Sequence, residues 1–433
     1  MIKIAKTALN CEREPLKAPF GFKGKFISEL WQMVSQLESD RLCQGVGLGV
    51  QSILWSDPAV FALFGESKGN TLMMELTRYA LKASEGISFD SPIQLMEQLL
   101  PVIHNYGKKI TGLKNLEKTF ALNSLVSIDN AAWLLYCREV GIHSFDDMLP
   151  EEFRQAFAYK NVSLACIPLI SYSVPPGEIS GMVESGYFFF KIKIGSDPDK
   201  DGDLDKMLDW DMKRFTEIHN ILKEKETTYT RNGQIPYYLD ANGRYDSKDR
   251  LLRFLEHADK IGALDRIRLL EEPFPEEYTV DVKDIPVCLA ADESTHCDKD
   301  AVERIEMGYG AIALKPIAKT VSMSMKIAKA AHDRGVPCFC ADLTVNPVLV
   351  DWNKNFAARL APLPGLKTGI LEVNGHLNYK NWKTMMTYHP CNGAGWINTD
   401  RGLFSLDKDF YESSGGIYRV GDHYAELVNN AVT

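Results

Sequence analysis

Lysines and acids recur at the ends of short apolar runs in the second half of the chain. The run YFFFKIKI carries Lys191 and Lys193, whose side chains point the same way from a strand because they are two residues apart. The next three runs end at Asp240, Glu271 and Asp292. Three carboxylates from neighbouring strands make an all-oxygen site, which Mg2+ prefers. The spacing therefore predicts a magnesium site beside two ammonium groups.

A further lysine, Lys315, ends the run GAIALK. The proton beside a carboxylate is barely acidic, because its removal creates a second negative charge. A bound divalent cation and a nearby ammonium group stabilise that charge as it develops. Each residue taken singly is more often an ordinary polar loop residue, but five such strand ends in this order are not. The residues therefore predict one site that can stabilise developing negative charge.

The elements that must position these residues follow from a repeated pattern. Short apolar runs, each followed by a helical stretch, are typical of βα units around a parallel sheet. The eight runs are 163–170, 187–194, 236–240, 266–271, 286–291, 310–315, 336–341 and 367–373. Eight strands predict a TIM-type (β/α) barrel, whose active site forms at the carboxyl ends of the strands. A doubly wound sheet is the alternative, but no phosphate-binding glycine loop follows the first strand.

The segments outside this pattern lack the alternation of strands and helices. Residues 1–160 form a mixed α+β region, with strands predicted near 2–10 and 45–54 and an amphipathic helix at 26–40. Further helices are predicted near 69–84, 91–104, 128–140 and 145–158. The cluster GVGLGV lacks the order G-x-G-x-x-G of a dinucleotide site and is interpreted as a turn feeding a strand. The aromatic, Gly-rich segment 376–433 is predicted to fold back onto the N-terminal part.

The motifs KIKIG, DANGRY, LLEEPFP, ADES and ALKPIAKT, in this order and at barrel spacing, resemble the enolase superfamily. Lys-x-Lys on the second strand with one lysine on the sixth resembles its muconate-lactonizing subgroup within the mandelate racemase/muconate lactonizing enzyme family. The resemblance implies a modified, enolase-like barrel at 161–375. It also implies an α+β capping domain at 1–160, completed by the C-terminal segment 376–433.

The resemblance also implies roles for the barrel residues. Asp240, Glu271 and Asp292 are then the Mg2+ ligands, and the neighbouring Glu272 and Glu293 face away from the metal. The substrate is then a small-molecule carboxylate, whose α-proton leaves through a metal-stabilised enediolate.

For the lysines, the resemblance implies Lys193 as the base on one face of the substrate, Lys315 as the acid or base on the other, and Lys191 as an electrostatic helper. Two lysines on opposite faces favour a racemase or epimerase. A dehydratase of acid sugars or hydroxy acids and a cycloisomerase stay open on the same scaffold.

Substrate contacts are expected at three places. Asn242 is a supporting group beside the metal. The eighth strand carries Glu372 and Asn374 where dipeptide epimerases have Asp-x-Asp, which argues against dipeptide specificity, and His376 follows. The segment 17–24 has the composition of a closing loop, with Phe20 and Phe22 as an apolar lid, although these rings could also simply pack beneath the cap.

Two other classes compete with this hypothesis. A Schiff-base aldolase also uses a strand-end lysine in a barrel, but it leaves the three acids without a role. A non-catalytic binding protein could keep the scaffold, but the complete set of three lysines and three acids argues against it.

Composition limits the partners. The 433 residues have a formal net charge of -9, which argues against nucleic acid or an anionic membrane as partner. No apolar stretch reaches the ~18 residues of a spanning helix. The nine cysteines show no pairing framework, which is typical of a reducing compartment. We therefore expect a cytoplasmic homo-oligomer that binds neither nucleic acid nor membrane.

Overall fold

The computed structural model describes residues 1–22 and 25–430, and the side chains of residues 20–24 lie outside this description. The N-terminal part is a four-stranded sheet of order β3-β2-β1-β4 with helices packed against it. Its elements are β1 (Ile2–Phe22), β2 (Lys25–Ser39), β3 (Gln44–Gln51), α1 (Ile53–Ser56), α2 (Pro58–Ser84), β4 (Ser88–Phe89), α3 (Pro92–Thr111), α4 (Lys118–Val140) and α5 (Phe145–Met148).

The helix predicted at 26–40 is wrong, because this segment is the central strand β2. It pairs with β1 on one side and β3 on the other, in antiparallel register. Residues 30–35 are buried in succession, because both faces of the strand are covered. A strand covered on both faces does not alternate between apolar and polar residues, and the apolar residues at positions 27, 30, 31, 34 and 37 matched the spacing of one helix face.

The glycine cluster GVGLGV lies inside β3 and allows helix α4 to pack directly on the strand. A Cβ atom on Gly45 would lie 2.0 Å from the carbonyl oxygen of Ala131, and one on Gly47 would lie 2.1 Å from that of Ser127. Only glycine tolerates so close an approach of two backbones. The cluster is therefore a packing device within the strand rather than a turn that precedes it.

Substituting Gly47→Ala is expected to destabilise the fold by about 1–3 kcal/mol, since the new methyl group meets α4 backbone that cannot move aside. The matched control is Gly181→Ala, in a helix where a Cβ meets no atom within 4 Å. That control should be neutral or stabilise by up to about 1 kcal/mol through helix propensity. Urea unfolding of both variants measures the difference, and equal stabilities would contradict the close-packing interpretation.

The eight predicted barrel strands are confirmed. They are β5 (Ser163–Ile167) continuing as β6 (Leu169–Ile170), then β7 (Phe190–Lys193), β8 (Tyr237–Asp240), β9 (Ile267–Glu271), β10 (Leu289–Ala291), β11 (Ala311–Leu314), β12 (Cys338–Cys340) and β13 (Gly369–Glu372). Successive strands are parallel neighbours. The first strand is interrupted at Pro168, and its halves pair with β13 and β7 respectively, which closes the ring.

Helices cover the outside of this ring. They are α6 (Pro176–Glu184), α7 (Leu204–Leu222), α8 (Lys248–Lys260), α9 (Asp298–Met307), α10 (Pro316–Lys319), α11 (Val321–His332) and α12 (Pro347–Ala357). None of the helices in the described part of the chain is long and apolar enough to cross a membrane.

The C-terminal segment contacts both sheets. It consists of α13 (Gly375–Asn378), α14 (Trp382–Thr387), β14 (Leu403–Ser405), α15 (Lys408–Ser413) and α16 (Asp422–Asn429). The Asn10 side chain donates to the carbonyl of Leu427 over 2.7 Å, so α16 returns to the cap sheet as expected. Strand β14, which the sequence did not predict, pairs antiparallel with β5. The domain boundaries at 160/161 and 375/376 stay predictions.

Candidate active site

Strand β7 delivers two buried lysines to the carboxyl-end mouth of the barrel. Lys191 Nζ lies 2.7 Å from Glu271, 3.0 Å from Asp240 and 3.2 Å from Glu372. Lys193 Nζ donates to Asp240 Oδ2 over 2.6 Å and also to Asn242. The structure therefore brings both lysines into contact with acids from the neighbouring strands, as the spacing predicted.

Three carboxylates converge beside these lysines. Glu271, Asp292 and Glu293 each offer an oxygen, and these atoms lie within 4.8 Å of one another. All three side chains are buried. Glu271 Oε1 is buried and has no hydrogen-bond partner among the described residues, while Glu271 Oε2 accepts from the hydroxyl of Tyr238. An all-oxygen set with an unsatisfied carboxylate oxygen fits a hard cation such as Mg2+.

The expectation that Glu293 faces away from this cluster is wrong. Strand β10 ends at Ala291, so Asp292 and Glu293 lie in a turn where strand alternation no longer holds. Asp240 is not part of the tight cluster and is held by the two lysines instead. The amide of Asn242 joins the two groups, because it accepts from Lys193 and donates to Glu293 over 3.2 Å.

Glu272 does turn away from the cluster, as expected. Its Oε2 accepts from the backbone amide of Asp292 over 2.7 Å and from the hydroxyl of Ser294 over 3.1 Å. Glu272 therefore fixes the turn that carries Asp292, and burial, with the nearby charge of Glu293, raises the pKa of Glu272 to about 7.

The segment after the sixth strand contributes two lysines rather than one. Lys315 Nζ donates to Asp292 Oδ2. Lys319, fully buried at the end of α10, donates to both the backbone carbonyl and Oδ1 of Asp292, the latter over 3.2 Å. Sequence reasoning missed Lys319, although its four-residue spacing from Lys315 in ALKPIAKT was a usable signal once a helical turn is assumed there.

Charge pairing decides the protonation of this site. Burial alone would lower the pKa of Lys191, but the charges of Asp240, Glu271 and Glu372 outweigh burial and raise that pKa well above its usual value. Burial acts to raise the pKa of Asp240, yet Lys191 and Lys193 hold it at about 2. Both partners are therefore charged, and Lys191 provides a fixed positive charge in the mouth.

The N-terminal cap supplies an apolar wall to the pocket in which these groups lie. Ile27 and Leu30 of β2, together with Leu54 and Trp55 after β3, line the same pocket as Lys193 and Lys315. The ammonium of Lys315 lies 4.9 Å from the centre of the Trp55 ring. A register shift in the β1–β2 pairing separates Ile27 from Leu30, which allows an odd and an even position to face one pocket.

The residues after the seventh and eighth strands form the opposite wall. Asn374 donates to Glu372 Oε1 over 2.8 Å, and its backbone amide donates to Asp342 Oδ2 over 2.7 Å. Asp342 Oδ1 is buried and has no hydrogen-bond partner among the described residues. Burial, with Glu372 nearby, raises the pKa of Asp342 to about 7.

One expected substrate contact, His376, is not brought to this pocket. His376 lines a separate cavity beside Lys354, and burial, with Lys17 nearby, lowers the pKa of His376 to about 4. The side chains of Phe20 and Phe22 lie outside the described residues, so the lid hypothesis stays a prediction.

The closed barrel and its buried acid–lysine mouth, covered by an α+β cap, define a capped-barrel protein. Residues 178–363 match the family described as enolase C-terminal domain-like. The barrel part of the chain therefore matches the family that its motifs resemble, as the sequence predicted. A comparison with curated proteins gave no match.

Solved structures share the whole fold. A mandelate racemase/muconate lactonizing protein from Herpetosiphon aurantiacus is similar with a TM-score of 0.65 at 16% identity, over 94% of this chain and 96% of that one. A dipeptide epimerase from Enterococcus faecalis V583, complexed with Mg and the dipeptide L-Leu-L-Tyr, is similar with a TM-score of 0.63 at 16% identity. The match covers 94% of this chain and 97% of that one. An L-talarate dehydratase from Polaromonas sp. JS666, complexed with Mg and L-glucarate, is similar with a TM-score of 0.58 at 14% identity. The match covers 86% of this chain and 87% of that one.

Replacing Lys191 tests the buried charge balance. Lys191→Met leaves three buried carboxylates without their shared cation, and we expect a loss of about 3–5 kcal/mol in the free energy of unfolding. The control Lys206→Met removes a lysine that pairs with Asp199 and Asp201 at the surface, where the effect should fall within experimental error. Denaturant unfolding in the presence of a chelator measures both, and equal stability of the two variants would contradict a charge balance that depends on Lys191.

Proposed function

We propose that this protein is a Mg2+-dependent racemase or epimerase that removes and returns the proton α to a substrate carboxylate. One observation carries the proposal. Lys193 and Lys315 line one pocket, yet Lys193 ends β7 and Lys315 directly follows β11, the second and sixth strands of the eight-membered ring. Strands four apart in such a ring lie on opposite sides of its mouth. A substrate between them presents one face to each lysine.

The acids of the mouth would hold the metal. Asp240, Glu271 and Asp292 are the proposed ligands, and Glu293 lies close enough to Glu271 and Asp292 to contribute. When bound, Mg2+ supplies positive charge that stabilises negative charge developing on the substrate carboxylate. Lys191 adds a second positive charge to the same region, from within contact distance of Glu271.

The lysines would exchange the proton. We propose that Lys193 takes the α-proton from one face and that Lys315 delivers a proton to the other, with the roles exchanged in the reverse reaction. Ile27, Leu30 and Trp55 exclude water from the space between them, which strengthens each electrostatic interaction there.

The walls of the pocket favour a substrate class. An apolar wall from the cap suits an apolar side chain better than the many hydroxyls of an acid sugar, which supports racemisation or epimerisation over acid-sugar dehydration. Glu372 is engaged by Lys191 and Asn374, whereas Asp342 Oδ1 is a buried acceptor in the pocket lining. We propose that Asp342 accepts a hydrogen bond from an N–H group of an amino-acid-derived substrate. The cytoplasmic location and the homo-oligomeric state stay predictions.

Proton exchange in heavy water tests the two-lysine proposal. With a panel of N-acyl amino acids, proline derivatives, dipeptides and acid sugars, the enzyme should wash deuterium into the α-position of its substrate. Lys193→Ala should stop exchange for one enantiomer and Lys315→Ala for the other, each lowering that rate by at least about a hundredfold. Lys206→Ala is the matched surface control.

The outcome separates the alternatives. If Lys315→Ala leaves all α-exchange intact but blocks product formation, a dehydratase or cycloisomerase is the better assignment. Trapping of a carbonyl substrate by borohydride would instead indicate a Schiff-base aldolase. A folded protein without exchange on any substrate of the panel would favour a binding protein.

Metal dependence is a separate test. Chelation should abolish exchange and Mg2+ should restore it. Asp292→Asn should weaken Mg2+ binding by at least about tenfold, as measured by calorimetry, because it removes an anionic ligand. The neighbouring Asp298→Asn, a half-exposed position at the start of α9, should bind Mg2+ like the unaltered protein. Wild-type metal binding and turnover in Asp292→Asn would refute the ligand assignment.

A further inference from the structure

A second group of metal-ligand side chains lies where the cap meets the barrel. Glu117 immediately precedes cap helix α4, Glu276 follows barrel strand β9, and His296 follows β10. Each offers one ligand atom, and these atoms lie within 4.8 Å of one another. Glu117 lies far in sequence from the other two residues, so the fold itself assembles the group.

The group is more than a patch of acidic residues. It combines an imidazole with two carboxylates, and the His296 side chain is only 11% exposed. His296 Nδ1 is fully buried and has no hydrogen-bond partner among the described residues, while Nε2 lies 2.8 Å from Glu276 Oε2. Nε2 is therefore the ring nitrogen that faces a carboxylate of the group, and one imidazole with two carboxylates is a donor set that a transition-metal dication accepts.

The backbone of each residue is held in place. The Glu117 amide donates to Asp57 Oδ2 over 3.0 Å, and the Glu117 side chain does not cap α4. The carbonyl of Glu276 accepts from Arg304, and the amide of His296 donates to Asp300 over 2.9 Å. A site fixed in this way loses little conformational entropy when it binds an ion.

We propose that Glu117, Glu276 and His296 form a second metal site, separate from the barrel mouth, that binds a transition-metal dication such as Zn2+ or Co2+. The donor set decides the ion, because imidazole nitrogen suits Zn2+ and Co2+, whereas Mg2+ prefers oxygen ligands in an octahedron. The three side chains are only partly buried, so an ion can enter from solvent. Bound there, it links the N-terminus of α4 to the two barrel loops that follow Glu271 and Asp292.

The test is Zn2+ binding to the full-length protein in excess Mg2+, which occupies the all-oxygen site. Calorimetry should find one Zn2+ per chain, and Co2+ should give the visible spectrum of a site with a nitrogen ligand. His296→Gln and Glu117→Gln should each weaken Zn2+ binding by at least about tenfold. The exposed control His143→Gln and the barrel-mouth variant Asp292→Asn should bind Zn2+ like the unaltered protein.

Unchanged Zn2+ affinity in a folded His296→Gln variant would overturn the proposal, as would loss of the site in Asp292→Asn. If the variants fail to fold by circular dichroism, crystals of the unaltered protein soaked in Zn2+ decide the matter. An anomalous difference peak between the three side chains supports the site, and its absence at saturating Zn2+ rules it out.

Discussion

The mutual compensation of buried charges at the barrel mouth is the constraint on which the rest of this structure depends. Lys191 alone faces Asp240, Glu271 and Glu372, and Asp292 faces Lys315 and Lys319. Removing one partner from such a set leaves a charge that the interior cannot solvate. The strands must therefore end at the same level of the ring, since a shift of one residue would turn a lysine or carboxylate into the apolar helix layer.

Compensation of charge also explains the structure around the site. Glu272 accepts the backbone amide of Asp292 and so holds the turn that carries this residue. Asn242 accepts a hydrogen bond from Lys193 and donates one to Glu293. The cap then covers the mouth with apolar side chains, which keeps water from screening the charges. Proton transfer beside a carboxylate needs such a low-dielectric, charge-balanced space, so the cap belongs to the proposed chemistry as much as the barrel does.

Sequence could predict the barrel and most of its mouth, because each strand is a short apolar run that ends in a reactive residue. It could not predict strand β2, since burial of both faces removes the alternation that identifies a strand. Glu293 was misplaced because the rule of alternation was applied beyond Ala291, where the strand ends. The grouping of Glu117 with Glu276 and His296 depends on the docking of two sheets, and local spacing carries no information about docking.

The docking of the cap and the position of Lys315 depend on the same element, helix α4, which contacts both. One face of α4, at Ser127 and Ala131, packs on the glycines of β3. The opposite face carries Asp129, which accepts from both the amide and the hydroxyl of Ser322, and burial raises the pKa of Asp129 to about 7. Ser322 opens α11, directly after the turn that carries Lys315 and Lys319. Helix α4 thus holds two segments at once: strand β3, after which Trp55 lies against Lys315, and the segment that carries Lys315 itself. A shift of the cap would therefore move a proposed proton donor.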